Sequence, residues 1–179
     1  VVGGGESNVA GGLYSAIAGG SENNTLGQYS FAAGNGNFVD GNFGSVSGGQ
    51  HNFAGGSHSV VGGGQLNAAA GSHAVVSGGK DNSASGSHSS VAGGDDNSVS
   101  GNYSFTAGQD NVVSGDYSVA LGRASVVSGS GSFFWRDSTN EGTPQLFANN
   151  RFVTVASGGV RFWTNPELST GAILAPGSG

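Results

Sequence analysis

Three Ser-His pairs, Ser57-His58, Ser72-His73 and Ser87-His88, recur fifteen residues apart in a chain that also carries scattered aspartates. Serine, imidazole and carboxylate are the parts of a nucleophilic triad, in which the imidazole takes the hydroxyl proton and the carboxylate fixes its tautomer. Such a centre is singular, whereas here the pair is copied at one repeated position. No catalytic residue is assigned, and the chain reads as non-enzymatic. Histidines in register are also candidate metal ligands, above all where several chains share an axis. Tyr or Phe stands at the same position in five of the other units, however. The position reads as a packing ladder in which His replaces Tyr, and neither a metal ligand nor any cofactor is assigned.

The stretches GGSENN, GGKDNS and GGDDNS put acids at turns, as calcium-binding nonapeptide rolls do. Here the period of nine is missing and Gln50 and Gln65 take the acidic place, so Asp81, Asp95, Asp96 and Asp110 read as solvated turn residues. An ice-binding face asks for flat rows of Thr. The array holds only Thr25 and Thr106, and rows of Ser alone support that use weakly. Tyr, Phe and Asn can hold glycans by stacking and hydrogen bonding. A cell-surface glycan or protein receptor is therefore a candidate partner, with the binding residues unknown because no local cluster stands out.

What positions all of these residues is a repeat. Residues 52–96 read NFAGGSHSVVGGGQL, NAAAGSHAVVSGGKD and NSASGSHSSVAGGDD, one order of residue types three times over. Extending this register starts units at Asn8, Asn23, Asn37, Asn52, Asn67, Asn82, Asn97, Asn111 and Ser125, spaced by 14 or 15. A fixed period of this kind means one supersecondary unit stacked along an axis. Position five is Gly throughout, at Gly12, Gly27, Gly41, Gly56, Gly71, Gly86, Gly101, Gly115 and Gly129. With a second Gly at position twelve in eight units, each unit has two corners, since Gly accepts positive φ or a crowded bend.

Between corners lie runs of four to six residues rich in Val, Ala, Ser and Phe, which read as short strands. Positions three and ten are small and mostly apolar in every unit, and they can face each other across a coil two strands thick. The expected fold is all-β, a parallel β-roll of 14- or 15-residue coils rising about 4.8 Å each, roughly 40 Å for the array. Identical positions then form columns. Position one gives an Asn ladder, Asn8, Asn23, Asn37, Asn52, Asn67, Asn82, Asn97 and Asn111, whose amides can bond the coils above and below. Position seven gives an aromatic and His ladder, Tyr14, Tyr29, Phe43, His58, His73, His88, Tyr103 and Tyr117.

Composition narrows the partners. The chain has 179 residues, 37 of them Gly, no Cys and a formal charge of -6. Without a basic surface, nucleic acid is not an expected partner. No apolar stretch approaches the roughly 20 residues that span a bilayer, so direct membrane insertion is not expected. Val1-Val2-Gly3-Gly4-Gly5 matches the second half of a unit, which reads as a fragment of a longer fibre. An interior of paired Ala and Val returns only about 1 to 2 kcal/mol per side chain, against a similar entropy cost for every ordered residue. Apolar residues left outside it, such as Phe31, Phe38, Phe53, Val60, Val75, Phe105, Val119 and Leu121, are expected against neighbouring chains.

The period stops at Phe133-Phe134-Trp135-Arg136. Three segments are expected: a roll over residues 1–135, a β-rich adaptor over 136–164 with two short strands around Gly158-Gly159, and an extended linker over 165–179.

The segment YSVALGRASVVSG, residues 117–129, with its SxAxG and SVxxG halves, resembles the head repeat of trimeric autotransporter adhesins, the YadA-like β-roll. The likeness spans residues 1 to about 135. It implies left-handed coils, a homotrimer around one axis and an extracellular adhesive or spacer role at a cell surface. Residues 148–179 are similar to the stretch that precedes endosialidase-type intramolecular chaperone domains in bacterial and phage fibre proteins. That second likeness implies the alternative, a receptor-binding tail fibre of a phage or contractile injection device, associated with a virion or fibre.

Overall fold

The computed structural model describes residues 1–138, 145–163 and 171–174, and the regular structure there is β alone. Two ten-stranded parallel sheets lie face to face, with the chain alternating between them strand by strand. Strands of positions two and three, from Val9–Ala10 to Gln145–Leu146, build the first sheet, and strands around position ten, from Ala16–Ser21 to Phe152–Val155, build the second. Register follows the repeat. Val60 pairs with Val75 and Val75 with Ser90, fifteen residues on, whereas Phe105 pairs with Val119 and Val119 with Phe133, fourteen on. The extra residue of a longer coil is absorbed as a bulge where it meets a shorter one, between Ile17 and Gly20 and between Val91 and Gly94.

The interior forms from positions three and ten, as their small apolar character requires. Val39, Ala54, Ala69, Ala84, Val99, Val113 and Val127 face Ile17, Ala32, Val46, Val61, Val76, Val91, Ala120 and Phe134, and all are buried. A third interior column comes from position eight, where Ser30, Ser59, Ser89, Ser104, Ser118 and Ser132 are buried at the corner. Except at Ser59, their hydroxyls bond to corner carbonyls, as Ser89 Oγ does to Gly86 O at 2.6 Å.

The two corners are built differently from each other. At position five the glycine does not take positive φ. It is required because a Cβ there would collide with the carbonyl of the coil above, for example a Cβ on Gly71 with Gly86 O. Positive φ falls instead on the large side chain of position seven, between 54° and 59° from Tyr14 to Tyr117. A left-handed conformation costs a side-chain-bearing residue about 1–2 kcal/mol. It turns the N–H back to the preceding coil, His58 N donating to Asn42 O at 2.8 Å and His73 N to Ser57 O at 2.9 Å.

The roll continues past the boundary expected at residue 135. Val126 pairs with Gln145 and Val127 with Leu146, then Phe133 pairs with Phe152 and Arg136 with Val155. A tenth coil is therefore present, reached through a longer connection whose residues 139–144 lie outside the described ones. The first strand expected in the adaptor belongs to the roll. Of the expected linker, Gly171–Leu174 pairs antiparallel with Val160–Trp163, so this part is a hairpin strand. Pro166, Pro176 and GSG suggested extension to the end, but GAIL is an apolar run able to pair across a turn. Residues 164–170 and 175–179 lie outside the described residues.

Candidate functional site

The residues singled out by type form two columns at opposite corners of the roll. At the first corner the rings of position seven stack without a break from Tyr14 to Tyr117. Centroids are 4.9 Å apart for Tyr14 and Tyr29, 5.0 Å for Tyr29 and Phe43, and 4.7 Å for Phe43 and His58. His58, His73, His88 and Tyr103 follow at 4.8, 4.7 and 4.7 Å, and Tyr117 closes the column at 5.2 Å. Aromatic contacts of this kind are worth about 0.5–1.5 kcal/mol each, comparable with the backbone cost of the left-handed turn that presents them.

The three Ser-His pairs lie within this column. Nδ1 of His58, His73 and His88 sits 3.0, 2.9 and 3.0 Å from Oγ of Ser57, Ser72 and Ser87. Each hydroxyl also points at the preceding coil's carbonyl, Ser72 Oγ reaching Ser57 O at 3.5 Å. The serine thus bridges ring to backbone, and no carboxylate completes a triad in the hydrogen bonds of these pairs. Among the described residues no group of three or more His, Cys, Asp or Glu is gathered as a metal cage. Of the turn acids, Asp81 is held by Lys80 at 3.1 Å, and this contact, reinforced by Asp95 and Asp96, pushes the lysine pKa up.

At the other corner the Asn ladder is a hydrogen-bonded spine. Asn23, Asn37, Asn52, Asn67, Asn82, Asn97 and Asn111 are buried. Asn67 Nδ2 donates to Gly63 O at 2.9 Å and to Gly79 O at 2.8 Å, while its Oδ1 accepts from Asn82 N at 3.1 Å. Asn8, in the first complete coil, makes the same donations to Gly4 and Gly20 but is only half-buried. Ser125 takes the ninth place, its N–H bonded to Asn111 Oδ1 at 2.9 Å. Beside this spine runs a surface ladder that residue types alone did not single out, in which Gln65 Nε2 reaches Gln50 Oε1 at 3.4 Å and Gln50 Nε2 reaches Asn35 Oδ1 at 3.3 Å. Its signal in the sequence is the polar residue two places before each Asn.

The outer faces of the sheets differ. The second sheet presents Phe31, Phe105, Trp135 and Phe152 exposed, with Val60, Val75, Val119, Leu121 and Phe133 half-buried between them. On the first sheet Phe38 and Phe53 stack at 5.7 Å near one end. Further along, that face carries Ser83, Ser85, Ser98, Ser100, Ser114 and Ser128.

These features define a parallel β-roll repeat protein. Residues 70–159 match the grass antifreeze beta roll family, which is more than half of the 179 residues, and the chain belongs to that family. No curated protein matches the chain. Two threonines and rows of Ser support an ice-binding use weakly, and what the match bears on directly is the β-roll architecture.

Proposed function

We propose that the chain is a non-enzymatic, self-associating rod segment of an extracellular fibre, serving as adhesin head or rigid spacer, with three rolls joined through the outer face of the second sheet. The carrying observation is that face. Phe31, Phe105, Trp135 and Phe152 stand exposed on it, with Val60, Val75 and Val119 in the same row and Ser45 and Ser90 interrupting it, and an exposed apolar strip of this kind marks an interaction surface. The YadA-like resemblance supports a threefold arrangement, and the repetition of every candidate chemical group supports a structural role.

Sedimentation tests the assembly. The expected species is a trimer, and Leu121→Asp, which places a charge in the strip, should release folded monomers, whereas Ser100→Asp on the other sheet should not. A wild-type chain that sediments as a monomer overturns the reading. Binding to intact candidate host cells tests the adhesive half, and the same assay with phage-susceptible strains tests receptor binding as a tail fibre.

A second reading is favoured by the family match, whose name carries the antifreeze activity. Ser85, Ser100, Ser114 and Ser128 repeat over four consecutive coils, about 4.8 Å apart along the rod, with Ser83 and Ser98 beside them about 7 Å across it before Val112 and Val126 take over that row. Thermal hysteresis that is lost in Ser100→Tyr would support ice binding, and an unchanged freezing point at high protein concentration would remove it.

A further inference from the structure

The sequence contains four tyrosines, and all four stand in the ring column as two neighbouring pairs. Tyr14 stacks on Tyr29 with planes 22° apart, and Tyr103 on Tyr117 with planes 2° apart. Phe43 and the three histidines separate the pairs. The four rings are between 52% and 68% exposed, and they lie along a corner, outside the apolar strip of the second sheet. We propose that each pair is a site of oxidative dityrosine formation, which joins consecutive coils covalently in a chain without cysteine.

The step needs a one-electron oxidant, here a peroxidase using hydrogen peroxide. It removes one electron and the phenolic proton from each ring. The two phenoxyl radicals carry spin on their ortho carbons and join there by a carbon–carbon bond. Each joined carbon then passes its hydrogen to its own phenolic oxygen, which restores both aromatic rings. In sum, two hydrogens leave the pair and one peroxide becomes two waters.

Geometry favours this coupling over others. Two radicals on separate molecules must meet by diffusion, whereas stacked partners are already adjacent, which raises their effective concentration by orders of magnitude. The backbone holds both members in place, Tyr29 N bonded to Leu13 O at 2.9 Å and Tyr117 N to Asn102 O at 2.8 Å. The exposed rims leave each ring free to swing outward and close the bond.

The test uses the full chain at low concentration with peroxidase and hydrogen peroxide. Cleavage after Lys80 and Arg123 leaves Tyr14 and Tyr29 in one peptide and Tyr103 and Tyr117 in another. Each peptide should show dityrosine fluorescence and a mass lower by two hydrogens, with a yield per chain unchanged on dilution. Tyr29→Phe, which keeps the ring but not the phenol, should lose the first product and leave the second intact, and Tyr117→Phe should do the converse. The proposal is overturned if the pairs become joined to each other or to another chain, or if the yield falls on dilution. It is equally overturned if the phenylalanine variants retain their products, or if free N-acetyltyrosine couples while the chain does not.

Discussion

A glycine in this roll is defined by what lies above it, and two glycines show the contrast. A Cβ on Gly71 would meet the carbonyl of Gly86, whereas a Cβ on Gly48 would meet nothing within 4 Å. Gly71→Ala should therefore destabilise the chain by about 2–4 kcal/mol, because the colliding atom is backbone and cannot swing away, while Gly48→Ala should stay within about 0.5 kcal/mol. Denaturant midpoints of the two variants measure the difference. The position of the corner glycines was legible in the sequence, but their reason was only half legible. Positive φ falls on Tyr14, Tyr29 and the rest of the ring column at the first corner, where conformational preference would have put glycine, because stacking along the rod holds large rings in a turn they would otherwise avoid.

The spine of asparagines sets the behaviour of the coils as elements. Each buried amide answers two carbonyls and one N–H of the neighbouring turns, so removing one leaves several partners unsatisfied at once. Asn67→Ala should cost about 3 kcal/mol, and Asn8→Ala, at a half-buried site, less than about 1 kcal/mol. Thermal unfolding of both variants checks the order. The register of the coils was readable from Asn8 to Ser125 because side-chain type repeats with backbone position. The tenth coil was not, since the longer connection after Arg136 breaks the count before Gln145 and Leu146 resume the pairing. The mates Ala148 and Asn150 occupy the places of corner glycine and ring, and they carry none of the residue types by which the earlier units announce themselves. The serine column of position eight could have been found from its small size in every unit. The hairpin partner Gly171–Leu174 could not be, because antiparallel pairing outside the array follows no period.

At the scale of the whole molecule, each coil touches chiefly the coils before and after it, so stability is close to a sum of coils and their contacts. Deleting residues 67–81 removes one 15-residue unit and brings Leu66 directly before Asn82, as it now stands before Asn67. The shortened chain should fold with the same β signature and a rod about 4.8 Å shorter, which small-angle scattering can read. Deleting seven residues from the same place should abolish folding, since it removes half a coil and would exchange the Asn spine and the ring column between the two corners.

Ala148 gives this modularity a direction. Gly129 must leave room for the carbonyl of Ala148 above it, whereas Ala148, at the corner place of the tenth coil, carries the methyl group that the nine corner glycines below it lack. A unit duplicated beneath that residue would keep a glycine at every added corner, so the ruler can be lengthened from within.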